Sequence, residues 1–203
     1  MNSGNQLSTS QIDVVARYPP NHAGRVSYTY AGTHAADRAL ARLQQLRRDP
    51  DREWGMVFNV DPSDLPGQHW LVLYSPAEDP SVECLDSYGT LDVSRYAVPE
   101  VQAIVRQTEP VDLPRLQSNS TYVCGHYCLA YLYARTHGKT PQRFVATFSP
   151  TEHKANDRTV CRFVCSVMIP SAIRPAFREA YVGPLGSPCQ GCCCESRVAK
   201  ERK

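Results

Sequence analysis

The stretch QSNSTYVCGHYCLAYLYARTHG, from Gln117 to Gly138, decides how the chain is read. From Cys124 to His137 it holds no proline and no glycine beyond Gly125. The segment, with Tyr127, Cys128, Tyr131, Leu132 and Ala134 among its residues, is apolar almost all round a 3.6-residue period, which is the pattern of a buried central helix. Gly138 follows, where a helix commonly ends on a left-handed residue. The preceding segment, 117–123, is polar, so the helix is expected to start from a loop with Cys124 in its first turn. Unpaired backbone N–H groups and the positive end of the helix dipole favour thiolate over thiol there, which lowers the cysteine pKa. Gly125 beside it is expected to let a substrate backbone approach closely.

Upstream lie three short apolar runs, Trp54–Val60, His69–Ser75 and Ser81–Ser87, bounded by Asp, Pro and Gly clusters. They are expected to form strands of one antiparallel sheet. His69 opens the second run and Asp86 lies near the end of the third, so a hairpin carries both to one sheet edge. Asp86 can then accept the second ring N–H of His69, which fixes the tautomer and stabilises the imidazolium. Gln117 precedes Cys124 by seven residues and can aim its amide, with the backbone N–H of Cys124, at an oxyanion. Singly these residues say little. A cysteine at a helix start is more often a small buried hydrophobe, and an Asp beside Ser is more often a turn residue. The set is what points to nucleophilic catalysis.

The motifs Gln68-His69-Trp70, Leu85-Asp86-Ser87-Tyr88-Gly89 and Gln117…Cys124-Gly125-His126-Tyr127-Cys128 resemble the signature of the adenain-like cysteine proteases, the group that includes the SUMO proteases. The order His, acid, Gln, Cys is the family's. The Gln117-to-Cys124 and His69-to-Asp86 separations resemble the adenovirus branch and its relatives in adenovirus-like viruses and transposons. The likeness covers roughly residues 50–140. It implies an α+β fold, a papain-like core in permuted order with a central helix packed on a small mixed sheet. It also implies hydrolysis of polypeptide substrates after small residues such as Gly, with Trp70 helping to form a narrow channel. Capsid or core precursors are the implied substrates, and DNA and an activating peptide are possible cofactors. The chain departs from the adenovirus pattern in using Asp86 as the acid, as SUMO proteases do. It also has no cysteine between Cys84 and Cys124, which weakens the case for a disulfide-linked peptide activator. The alternatives are an isopeptidase acting on ubiquitin-like modifiers, and an inactive nucleic-acid or partner-binding module of the same fold.

The rest of the chain sets the frame. Its 203 residues, 42% hydrophobic and 21% charged, suit one globular domain, expected over 1–182, with 1–32 an irregular arm and 183–203 a Cys-rich basic tail. Helices are expected over Thr33–Arg48, over Ser94–Gln107 with an interruption at Pro99, from Asn156 or Asp157 through Met168, and over Ser171–Tyr181. A further strand is expected over Val111–Leu116. No apolar run approaches the ~18 residues of a spanning helix. The start, MNSGNQLSTSQIDVV, lacks the basic and apolar regions of a secretory signal, and Asn2 excludes myristoylation. An intracellular setting follows as an expectation, the virion and host nucleus if the chain is viral, with the nine cysteines as free thiols and the chain a monomer. Net charge is +3 over 1–50, −7 over 51–138 and +6 over 139–203, so the flanks can attract a polyanion such as DNA. Cys189, Cys192, Cys193 and Cys194 form the densest thiol cluster. Three adjacent cysteines serve one tetrahedral ion poorly, so no metal site is assigned.

Overall fold

The computed structural model describes residues 6–18, 21, 28–49, 52–77, 79, 81–171 and 174. The five strands β1 (Thr29–His34), β2 (Trp54–Asn59), β3 (Trp70–Ser75), β4 (Glu83–Leu85) and β5 (Glu109–Pro110) form one sheet in that order. β2, β3 and β4 are antiparallel neighbours, as the three apolar runs imply. The edges differ: β1 lies parallel to β2, and β5 parallel to β4. Parallel neighbours need a crossover, and two helices supply it, α2 (Ala36–Leu46) between β1 and β2 and α3 (Pro99–Arg106) between β4 and β5. The sheet is therefore mixed and the class is α+β.

Both faces of the sheet are covered, which is why β2 and β3 are buried at every position. Side chains alternate between the faces. Met56, Phe58, Leu71 and Leu73 point towards α2 and α3, where Leu43, Val101 and Ile104 meet them. Val57, Trp70, Val72 and Tyr74 face α4 (Cys124–Thr136), with α1 (Thr9–Arg17) and α6 (His153–Phe163) beside it. Full burial of a Leu or Phe contributes about 1.5–3 kcal/mol, so either cluster holds the sheet against its helices. α4 is buried round nearly its whole surface, as its composition implies, and ends on Gly138 at φ 77°. α5 (Pro141–Val145) follows it, with Thr140 capping the Arg143 N–H.

Several expectations are corrected. The segment 1–32 is not an irregular arm: it contains α1 and the first four residues of β1. The signal was legible. Ser8 and Gln11 form a capping box, the Ser8 side chain accepting from the Gln11 N–H while the Gln11 side chain accepts from the Ser8 N–H. The helix expected over Thr33–Arg48 starts later, because Thr33 and His34 belong to β1. Pro99 does not interrupt a helix but opens α3, where its missing N–H costs nothing. No strand forms over Val111–Leu116; the strand pairing falls just before it, at Glu109–Pro110. Asn156 and Asp157 do not cap α6 but lie inside it, both buried. The tail of 183–203, and the helix expected over Ser171–Tyr181 apart from Ser171 and Arg174, lie outside the described residues. Among the described residues, no helix is long and apolar enough to cross a membrane.

Candidate active site

β3 begins at Trp70 and β4 ends at Leu85, and the two run antiparallel with Val72 opposite Leu85. The start of one strand and the end of the other therefore lie at the same end of the sheet. His69 sits one residue before β3 and Asp86 one residue after β4, and His69 Nε2 lies 2.7 Å from Asp86 Oδ1. The carboxylate is held by two further donors. The Tyr88 N–H donates to Oδ1 at 2.8 Å, and the Tyr96 hydroxyl donates to Oδ2 at 2.7 Å. The turn closes with the Gly89 N–H on the Asp86 carbonyl at 3.1 Å. Gly89 stands at φ 119°, a region that a side chain would strain. Burial by itself pushes the Asp86 carboxyl up. The hydrogen bond and charge of His69, with the donors on Tyr88 and Tyr96, outweigh it and hold the group below the ordinary carboxylate range.

Cys124 is the first residue of α4, packed over β3. Its sulfur is in hydrogen-bond contact with the His69 ring and accepts from the backbone N–H groups of Trp70 and Gly125. Since Nε2 of His69 is engaged by Asp86, Nδ1 is the nitrogen left for the sulfur. Burial raises the Cys124 thiol, but the His69 charge and hydrogen bond and the two N–H donors overcome it, so its pKa falls below the ordinary value. Burial alone would lower the pKa of His69. The charge on Cys124 and the bonds to Asp86 and Cys124 instead raise it to about 10. Sulfur and ring therefore favour the thiolate–imidazolium form. Three of the four residues singled out from the sequence thus meet as a Cys–His–Asp line.

Gln117 is fully buried and tied to the acid turn. Its backbone N–H and that of Leu116 both donate to the Ser87 carbonyl, at 3.0 and 2.9 Å. The Ser87 hydroxyl donates to Gln117 Oε1 at 2.7 Å, and Gln117 Nε2 donates to the Thr121 carbonyl at 2.9 Å and to the Tyr88 hydroxyl at 3.3 Å. Tyr88 in turn lays its ring against His69, with centroids 4.8 Å apart. One turn, 86–88, therefore braces the imidazole, the acid and the glutamine.

The surroundings of Gly125 and Trp70 differ from expectation. A Cβ on Gly125 would stand 3.2 Å from Ile12 Cδ1, 3.3 Å from Leu7 Cβ and 3.4 Å from Trp70 Cδ1, so the space left by its missing side chain is filled by the N-terminal segment. Trp70 is a core residue whose indole N–H donates to the Leu7 carbonyl at 3.1 Å. Tyr88 and Ser87 were inside a quoted motif without a role, and Tyr96 carries no sequence signal, since an isolated tyrosine ten residues from an acid has no diagnostic spacing. Among the described residues, no group of three or more His, Cys, Asp or Glu side chains is placed to hold a metal ion.

No protein-family model matches the chain, and no curated protein matches it in sequence. Solved structures do. The chain is similar to the ASFV pS273R protease at a TM-score of 0.50 and 17% identity, over 78% of this chain and 67% of that one. A selenomethionine structure of that protease gives 0.49 and 18%, over 78% and 68%. A structure of AvrA gives 0.40 and 12%, over 79% and 71%. At such identity the first of these likenesses is one of fold: this protein has the α+β fold seen in that protease.

Proposed function

We propose that this protein is a cysteine endopeptidase that cleaves viral or virus-like precursor polypeptides at Gly-containing sites. The single observation that carries the reading is the buried contact between the Cys124 sulfur and the His69 ring, with Asp86 on the ring's far nitrogen. In the proposed reaction the Cys124 thiolate attacks the scissile carbonyl, forming a C–S bond and an oxyanion. The Cys124 N–H and the Gln117 amide receive that oxyanion, the latter by giving up its long bond to Tyr88. Collapse breaks the C–N bond, and the His69 imidazolium gives its proton to the leaving amine. Neutral His69 then takes a proton from water, hydroxide attacks the thioester, and the thiolate leaves. Asp86 holds the ring and its charge throughout.

The test is cleavage of a peptide carrying a Gly-containing site by the wild-type chain and by Cys124→Ala. Turnover is expected to fall by roughly 10³-fold or more, towards background. Undiminished cleavage by the variant overturns the reading. A diGly-linked modifier run in the same assay separates an endopeptidase from an isopeptidase.

A further inference from the structure

The loop that carries Gln117 is fastened from a helix remote in sequence. Asp157, buried in α6, accepts the Ser118 N–H at 3.2 Å and the Thr121 hydroxyl at 2.8 Å on Oδ2, and the Tyr127 hydroxyl of α4 at 3.0 Å on Oδ1. Its neighbour Asn156 donates through Nδ2 to the Leu116 carbonyl at 3.1 Å and to the Ser149 carbonyl at 2.7 Å, and accepts the Ser149 N–H at 2.9 Å. These contacts fall on both sides of Gln117, at 116 and at 118–121. One of the anchored residues, Thr121, supplies the carbonyl that takes the Gln117 amide. Two adjacent polar side chains, each about 4% exposed, are costly to bury unless their bonds are made. Here nearly all of those bonds go to the loop 116–121, to the first half of α4 and to Ser149.

We propose that Asp157, with Asn156, is a positioning residue for Gln117, setting the height of the glutamine amide relative to the first turn of α4. A donor must sit within about 3 Å of the site where the oxyanion forms, and a displacement of about 1 Å can cost on the order of a hundredfold. Without the clamp, Thr121 loses its side-chain anchor on α6, and the Gln117 amide loses a fixed acceptor. Asp157 touches neither His69 nor Cys124 in this arrangement, so the thiolate–imidazolium pair should survive its removal. The proposal rests on the protease reading above.

The test compares Asp157→Ala, Gln117→Ala and the double variant in two measurements. One is kcat and KM on a Gly-containing peptide. The other is the rate at which iodoacetamide, a small neutral alkylator, labels Cys124 at mildly acidic pH. For Asp157→Ala, kcat is expected to fall about tenfold to a hundredfold, with KM and the labelling rate within about twofold of wild type. The double variant should be no slower than Gln117→Ala. Unchanged kcat, parallel losses of kcat and labelling, or losses that multiply in the double variant each overturn the proposal. If Asp157→Ala does not fold, Thr121→Val removes only the hydroxyl end of the clamp. It should lower kcat about three- to tenfold at constant labelling rate, and unchanged kcat overturns the proposal. The two readings fail separately. Cleavage that survives Cys124→Ala refutes the protease, whereas cleavage that needs Cys124 but ignores both Asp157→Ala and Thr121→Val refutes only the clamp.

Discussion

The first turn of α4 and the second turn place the same side chain in two settings. Cys124 and Cys128 lie four residues apart on one face, both at most 2% exposed. Burial pushes the Cys128 thiol well above its ordinary value, and the nearby charge of Cys124 pushes it further. Cys84, in β4 on the opposite face of the sheet, goes the same way. Cys124 alone of the three goes down. The difference does not lie in burial, which raises all three. It lies in what meets the sulfur: an imidazole already committed to Asp86, and N–H donors at Trp70 and Gly125. The lowered thiol of Cys124 is a property of the groups that meet its sulfur and not of burial in the helix.

The largest effect is expected of His69→Ala. Without the ring, Cys124 keeps only its N–H donors against burial, and its thiol should rise towards that of Cys128. Turnover is expected to fall on the order of 10⁴- to 10⁶-fold. Selective iodoacetamide labelling of Cys124 below neutral pH should disappear, as mass spectrometry of the labelled peptides will show. Selective labelling that persists at wild-type rate would mean the helix start alone activates the sulfur.

A second test follows pH. The Cys124 thiol titrates below its ordinary value, so labelling of the wild-type chain should already be near its plateau at neutral pH and decline only as pH falls through that lowered pKa. His69 is raised to about 10, so the proton it gives to the leaving amine is present below that value and lost above it. Turnover should therefore hold across neutrality and fall as pH rises through about 10. A thiol that labels half-maximally near the 9.0 of a free cysteine would remove the ion pair.

Much of this contrast could be read in the amino-acid sequence, and the unread part has a physical cause. The buried helix of 124–136, the three central strands, and His69, Asp86 and Cys124 were legible because each rests on a local pattern: all-round apolarity, short bounded runs, and fixed order. The edge strands were not, because β5 is two residues long, Glu109–Pro110, and exposed, with no pattern to detect. The helix α1 was missed for another reason. Its capping box was present, but the surrounding Ser, Pro and Gly dominated the composition. The clamp at Asn156 and Asp157 had a subtler sign. Both fall on the same face as Val160, Cys161 and Val164, so two polar residues continue a buried stripe. Such a stripe needs partners, and only the fold reveals that they lie in the loop 116–121.

Tyr96→Phe tests the acid. Losing the hydroxyl removes one donor to Asp86 Oδ2, a bond to a charged group worth about 1.5–3 kcal/mol. The carboxyl pKa is depressed in the folded chain, so it contributes stability above the unfolded value of 3.8 that is lost as pH falls through the folded value. With one donor gone the folded pKa moves up. The variant should therefore unfold at higher pH on acidification than wild type, and turnover at neutral pH should drop by about tenfold or less, because His69 and the Tyr88 N–H still hold the group. An acid-unfolding midpoint unmoved by the substitution would show that Tyr96 merely packs.

Cys128→Ala is expected to do least. The substitution removes one buried sulfur from the second turn of α4 and leaves a small cavity, costing about 0.5–1.5 kcal/mol, the range for deleting a single methylene-sized group. It also removes a titratable group whose charged form the Cys124 thiolate disfavours. Nothing in the line Cys124–His69–Asp86 passes through it. Melting temperature should fall by a few degrees, while kcat, KM and the pH at which Cys124 labels stay at wild-type values. If turnover instead drops with stability barely changed, the second turn takes part in the chemistry, and the division between the two turns would have to be redrawn one turn further along α4.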